Sequence, residues 1–472
     1  MPILTLDQNS FLGGMSLSDF FANGGFSPNS IGFEVDRGSQ LGLLLPGRDI
    51  TSYTTAGGVT LSGNVLTSCA NSAGALYYLI TSTGNVYKTL TSPGLIAHTL
   101  EDTGLGTPDH SIVYDNSVFV SLNGDIAMYS LDFTTKNKTW WTATMGQAAL
   151  NLNVPHKFFI FQGVLYMTNG NTLISFDGTT ANSGALVLPT GWVITDALVD
   201  GANIYFVASY LLTTGSWDYN AQTKIFDWNS FDPNKWQAEI DIYTGPIRSM
   251  VKVDVVGQRR SVFMLFSTNA MYMVSEFYGT FTCTWLRSLP SYGPNYNQIT
   301  INGGLIYFVT KNGIAKYNTH FNILTVPVAY NTASITALNM GYLDYIDFFT
   351  SDGNFYRSSV NNSLNAPAPN FYSNWVDFQN SRINKIVVAF GSALASGSQF
   401  TLKIYDERNQ NIYSRVMSYA NDGAKTEINI TNVSPNLPVN LAQIRLSFDY
   451  VATPGIRFIK VFYTPSEMYV TR

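Results

Sequence analysis

The sequence of 472 residues predicts an all-β fold, a β-propeller of about seven blades followed by a C-terminal antiparallel β-sandwich, on three observations. First, six short strand–turn–strand units recur at residues 77–87, 118–126, 165–173, 263–272, 307–314 and 348–356. Their turn residues are Gly84, Gly124, Gly170, Ala270, Gly313 and Gly353, separated by 40, 46, 100, 43 and 40 residues. The step of 100 holds one more unit around Ile204-Tyr205-Phe206-Val207-Ala208. Short strands repeating every 40 to 50 residues are how propeller blades read in sequence. Second, no stretch keeps a 3.6-residue apolar period long enough for a major helix. Third, beyond Ala366-Pro367-Ala368-Pro369 the turn spacing stops and strands of clean alternation take over.

Taken in order, residues 1–50 form an N-terminal arm and first strand. Phe11-Leu12-Gly13-Gly14 and Phe20-Phe21-Ala22-Asn23-Gly24-Gly25 set large apolar groups beside glycine pairs. Such a segment can hardly bury its own side chains; it either docks on another chain or packs as a strand pair on this one. Regular structure is expected from Ile31, where Ile31, Phe33 and Val35 alternate as in a half-buried strand. Residues 51–365 form the propeller, with units starting near 61, 99, 153, 193, 247, 292 and 333 and an insertion at 213–236 in the fourth. Six or eight blades fit the same spacing, because strands from both chain ends can complete a blade. Residues 370–472 form the sandwich, jelly-roll-like, from strands such as Ile383 to Phe390, Phe400 to Tyr405 and Ile456 to Phe462. The alternative is that these strands close the propeller as extra blades.

Composition narrows the function. Charged residues are 12% of the chain and aromatics 14%, against about 25% charged in an ordinary globular domain. A surface solvated by Asn, Ser, Thr and Tyr hydroxyls suits a secreted protein or one covered by partners. Residues 370–472 carry ten Lys and Arg against seven acids, whereas 1–369 carry sixteen against twenty-four, a net charge of −8. An acidic body argues against tight nucleic-acid binding, which needs clustered cations, but not against DNA passing without adhering. Cys69 and Cys283, 214 positions apart, make neither a metal motif nor a disulfide framework. The N-terminus lacks the basic start and apolar core of a signal peptide, and no apolar run nears the ~20 residues that cross a bilayer. No membrane association is expected.

Candidate chemistry is sparse. His98, His110, His156 and His320 fall in separate units without a second ligand at metal spacing, so neither a metal nor another cofactor is expected. No nucleophile elbow, P-loop, H-E-x-x-H or EF-hand loop is present, and no catalytic residue is assigned. Glu239 and Asp241, at i and i+2 on a strand, share one face and could supply the two carboxylates of glycoside hydrolysis, but a solvated strand face opposite Ile240 and Ile242 is the favoured reading. Ser351-Asp352-Gly353 is a fragment of the sialidase-type box, or simply a turn. Trp140-Trp141, Trp217, Trp228 and Trp236 offer faces for a sugar, a protein partner or the core. Arg259-Arg260 reads as a solvated hairpin tip or a contact to an acidic partner.

The run Phe226-Asp227-Trp228-Asn229-Ser230-Phe231-Asp232-Pro233-Asn234-Lys235-Trp236, then Gly245-Pro246-Ile247, Val262 to Phe266 and Met271-Tyr272-Met273-Val274, resembles tailed-phage propeller proteins. These are the packaged-DNA stabilisation and tail nozzle proteins. The N-terminal course Phe11-Leu12-Gly13-Gly14, Glu34-Val35-Asp36-Arg37 and Leu43-Leu44-Leu45-Pro46-Gly47 is similar too, so the resemblance covers roughly residues 10–50 and 225–275. The C-terminal sandwich departs from it and leaves the position within a virion open. The resemblance implies a structural virion protein of the tail or neck, made in the host cytoplasm. Its partners would be further copies of itself in a closed ring and adjoining tail proteins, with non-specific passage of DNA. Phe11, Phe20, Phe21, Trp217, Trp228 and Trp236 are the interface residues expected on this reading. The competing expectation is a propeller that binds or degrades cell-surface glycan.

Overall fold

The computed structural model describes residues 3–6, 33–35, 44–46, 48–52, 59–70, 76–92, 95–210, 223–228, 236–242, 246–253, 262–277, 280–289, 293–302, 305–319, 323–330, 332–340, 345–362, 370–373, 376–394, 396–422, 425–431, 433, 439–449 and 455–465. The chain divides into two compact units, which cut across the sequential division expected above. A propeller unit comprises Ser52–Thr310 and Thr332–Arg357; a sandwich unit comprises Met1–Thr51, Lys311–Asn331 and Ser358–Arg472.

Seven innermost strands organise the propeller unit: Val65–Ala70, Pro108–Tyr114, Phe158–Phe161, Trp192–Asp200, Ile247–Val253, Ile299–Asn302 and Ile335–Met340. The first five pack one against the next, and the last two do likewise. The seventh returns against the first, and the 3-10 turn Tyr296–Gln298 packs between the fifth and the seventh. The wheel is therefore closed at seven blades. Each of the first five innermost strands opens a four-stranded antiparallel meander whose strand order follows the chain.

The second strand of each blade shows why these sequences fold this way. Along Asn203–Tyr210, Ile204, Phe206 and Ala208 join the core shared with the third blade, while Tyr205 and Val207 join the core shared with the fifth. Along Leu76–Thr81, Tyr78 and Ile80 face the second blade, and Tyr77 and Leu79 face the seventh. A strand with a neighbour on both faces needs an unbroken apolar run, because the two-residue alternation only selects which core each side chain enters. Every second strand also ends, at its last or last-but-one residue, in a buried hydroxyl: Thr81, Ser121, Thr168, Ser209, Ser267, Thr310 and Thr350. Some of these cap the following turn, as Thr350 Oγ1 does on the Asn354 carbonyl at 3.2 Å. Others reach the next blade, as Ser121 Oγ does to the His156 carbonyl at 2.9 Å. Gly84, Gly124, Gly170 and Gly353 take positive φ in these turns, a conformation glycine adopts without steric cost. In the fifth turn Ala270 replaces glycine, and its N–H is held by Ser267 Oγ at 3.0 Å.

Polar staples cross the blade joints. Tyr129 Oη donates to Asp102 Oδ2 (3.1 Å) between the first and second blades, and Lys252 pairs with Asp200 (2.6 Å) between the fourth and fifth. Asp196, fully buried on the fourth blade, joins three: it pairs with Lys157 of the third and accepts the Met250 N–H of the fifth at 2.6 Å. Asp347 accepts both Arg357 Nε (2.6 Å) and Nη2 (2.7 Å) on the seventh blade, and Tyr77 Oη (3.0 Å) from the first. Asn297, of the segment entering the sixth blade, reaches the opposite side. Its Nδ2 donates to the Asp109 carbonyl of the second blade (2.7 Å), and its Oδ1 accepts from Thr67 Oγ1 of the first (3.2 Å).

In the sandwich unit the strands Gly313–Asn318, Ile323–Ala329, Phe33–Val35, Leu44–Pro46, Ile456–Pro465, Val376–Phe390, Val439–Asp449, Gln399–Asp406 and Asn411–Ser418 are hydrogen-bonded in that order. The 15-residue strand Val376–Phe390 changes partners midway. Before Ser381 it pairs with Val439–Asp449, and beyond it with Ile456–Pro465 and Glu427–Thr431. The register shift falls at Asn380, whose φ of 59° turns the strand from one layer into the other. One core then fills the space between: Phe400, Leu402, Ile444 and Leu446 from one layer, and Ile386, Val388, Ile428, Ile430, Ile459 and Val461 from the other. The first strand is Ile3–Leu6, paired with Ile459 to Phe462, and not the expected one at Ile31. Four residues are too few to show an alternation that could be told from chance. The arm residues Phe11, Phe20 and Phe21 and the Pro-rich break lie outside the described residues.

The buried Lys157–Asp196 pair is the joint most sensitive to substitution. Asp196→Ala leaves an ammonium and two N–H groups without their acceptor and should cost about 3–5 kcal/mol. Equilibrium denaturation of the variant should show a correspondingly lower midpoint; an unchanged midpoint would mean that the carboxylate is not what joins these blades.

Candidate functional site

The innermost strands of the second, fourth and fifth blades share one irregularity. In each, the register with the second strand slips: from Pro108 to Ser111, from Ile194 to Asp196 and from Ile247 to Ser249. The extra residues include Asp109, Thr195 and Arg248. A bulge re-aims the side chain it carries, and these three line one cavity of about 590 Å³. Prolines 108, 155 and 246, with Val154 and Ile247, supply apolar wall; Thr107, Asn123, Asn153, Thr268 and Asn295 supply polar groups. It opens where the innermost strands begin and the second-to-third-strand turns lie.

The walls are braced. Asn123 Oδ1 accepts the Asn153 N–H (3.1 Å), the Thr268 carbonyl accepts the Gly293 N–H (3.1 Å), and Asn295 Oδ1 accepts the Asn297 N–H (3.0 Å). Asp109 Oδ2 accepts the His156 N–H at 2.6 Å, and its carboxylate also takes the Tyr296 hydroxyl. Burial first, and then the Asp109 charge, push the Tyr296 phenol well above its ordinary pKa. Behind it, the His110 ring meets the Tyr296 ring edge-on at 5.3 Å and accepts the Phe158 N–H at Nδ1 (3.2 Å). Burial, aided by Lys157, lowers the His110 pKa to about 3. The imidazole is neutral, with its proton on Nε2. Arg248 differs from all of these. Its guanidinium reaches solvent but is desolvated by the walls, which lowers its pKa, and among the described residues it has no ion pair or hydrogen bond.

The arrangement can bind. Asp109 already accepts two protein donors, and among the described residues no three His, Cys, Asp or Glu side chains gather as metal ligands would.

The residues singled out from sequence fall elsewhere. Trp228 is 2% exposed and packs edge-on against Tyr166 at 6.0 Å in the core between the third and fourth blades. As an interface residue it is corrected: the indole is spent on this chain's own packing. Trp140 and Trp141 are likewise core, with Trp141 Nε1 donating to the Ala148 carbonyl at 3.0 Å. Trp217 and Arg259-Arg260 lie outside the described residues. Trp236 begins the outermost strand of the fourth blade, Trp236–Ile242, opposite Trp228 in register. Glu239 and Asp241 are on the same outer strand, away from the cavity. Register slips there too, Ile240 facing Ile225 but Ala238 facing Phe226, so the regular strand that the i, i+2 reading assumed is interrupted at Glu239. Ser351-Asp352-Gly353 is a turn. His98 is buried against Thr89 Oγ1 at 2.9 Å, its pKa lowered by burial to about 4; His320 is not described. Cys69 and Cys283 are free, both thiols raised by burial, Cys69 to about 12. Among the described residues no helix is long and apolar enough to cross a membrane.

No protein-family model and no curated protein matches this chain. Solved structures do. The WD40 β-propeller domain of Doa1 aligns over 67% of this chain and 97% of its own, at 13% identity and a TM-score of 0.45. The extracellular domain of the putative hybrid two-component system BT4673 from B. thetaiotaomicron aligns over 78% and 47%, at 11% and 0.45. YCF48 from Cyanidioschyzon merolae aligns over 66% and 98%, at 7% and 0.44.

The buried histidines set a pH dependence. His98 and His110 have folded pKa values of about 4 and about 3, below the ordinary 6.5. Below pH 6.5 the unfolded chain therefore binds protons that the folded chain refuses. Each histidine makes stability fall as pH drops from 6.5 towards its folded value, by up to about 1.4 kcal/mol per pH unit. Denaturation midpoints measured between pH 7 and 4 should decline, and His98→Gln should flatten the decline. Equal slopes for the two proteins would show that His98 is not held neutral.

Proposed function

We propose that this protein is a structural component of a tailed-phage virion, assembling as a ring of copies in the tail or neck that extends the genome channel and connects tail parts. The observation that carries this reading is where the polar chemistry goes. The buried carboxylates Asp196 and Asp347 and the buried histidine His110 are committed to joints within and between blades. That use suits a rigid shaped part. The low charge content supports it, because a surface poor in Lys, Arg, Asp and Glu loses little solvation when neighbours cover it. The resemblance of residues 10–50 and 225–275 to phage propeller proteins supports a place in the tail or neck, and the acidic 1–369 region suits DNA that must slide without adhering.

Mass photometry of the purified protein should find one discrete multiple of 52.0 kDa, and cryo-EM of that species should show cyclic symmetry. Immunogold labelling should mark the tail or neck of the particle. A protein that stays monomeric at micromolar concentration and labels no particle would refute the proposal.

A further inference from the structure

We infer that the 590 Å³ cavity between the second and sixth blades is a binding site for a carboxylate-bearing sugar, with Arg248 as the carboxylate's partner. This goes beyond the structural role above and stands whether or not copies form a ring. The volume is that of a small-molecule site, about 300–1,000 Å³. Arg248 is delivered by the bulge between Ile247 and Ser249, and among the described residues its guanidinium engages no acceptor. A planar five-donor fork with no ion pair or hydrogen bond among the described residues is matched to an incoming planar anion.

The remaining wall specifies the rest of the ligand. Asn123 and Asn295 have their amide oxygens occupied by the Asn153 and Asn297 N–H groups, which leaves their amide nitrogens as donors. Thr107 and Thr268 add hydroxyls, which donate and accept. Such groups match vicinal hydroxyls, and the faces of Pro108, Pro155 and Pro246 match the apolar C–H face of a pyranose. A phosphate dianion fits less well, because Asp109 puts a carboxylate in the same wall and, among the described residues, Arg248 is the one Lys or Arg lining the cavity. The loops bracing the wall are hydrogen-bonded without ligand, so little ordering would oppose binding.

The test is titration of the full chain by calorimetry with methyl β-D-glucuronide, methyl β-D-glucoside and inorganic phosphate. The glucuronide should bind and the glucoside bind more weakly, with phosphate failing to compete. Arg248→Gln should weaken the glucuronide about 10- to 100-fold, the effect of losing a charge-assisted bond, and leave the glucoside unchanged. Arg248→Lys should fall between the two, and an unaltered melting temperature confirms that each variant is folded. No binding by the parent protein, equal affinity for the two glycosides, competition by phosphate, or an Arg248→Gln variant that binds as the parent does would each overturn the inference. None of these outcomes depends on oligomeric state, which tests the structural role separately.

Discussion

Among the described residues, apolar cores join the first five blades in succession, and another joins the seventh blade to the first. Closure is the constraint on which everything else rests. At that joint Tyr77 Oη donates to Asp347, which is itself clamped by both nitrogens of Arg357. A buried ion pair contributes little net stability, since desolvation offsets most of the Coulombic gain. Its geometry is exacting, however. A carboxylate that must meet a guanidinium in one blade and a phenol in the next admits a single seating of the last blade on the first. Asp196 does the same for the third, fourth and fifth blades, and the apolar cores between blades then supply the bulk of the stabilisation.

Much of the wheel was legible in the sequence, and the reason is its repetition. Unit starts near 153, 193, 247 and 333 match innermost strands at Phe158, Trp192, Ile247 and Ile335. The start expected near 99 falls within Leu95–Asp102, a strand that closes the first blade instead of opening the second. The site was not legible. Arg248 reaches the cavity because the register slips by one residue, and a bulge leaves no mark in a pattern of apolar and polar letters. The same blindness affected Glu239, whose shared face with Asp241 presumed a regular strand. Trp228 misled for a different reason: tryptophan is enriched both at interfaces and in cores, and residue type alone does not separate them. The seven buried hydroxyls that end the second strands are a further signal in the sequence, a Ser or Thr just ahead of the turn in every blade.

The sandwich follows another logic. Its two layers are linked through one strand that bends at Asn380, so Val376–Phe390 serves both sheets while a single core forms between them. This unit draws strands from near residues 3, 33 and 44, from 313–329 and from beyond 370. Contacts so distant in sequence carry a high loop-closure cost before they are rewarded, which makes for slow folding.

Asn297 has one more consequence. It belongs to the approach to the sixth blade yet is bonded to the first and second, while Tyr296 leans on His110 of the second. The segment entering the sixth blade thus reaches across to the first and second blades. In the ring proposed above, a conduit framed by several chains would have its bore set by the number of chains and not by the number of blades in each.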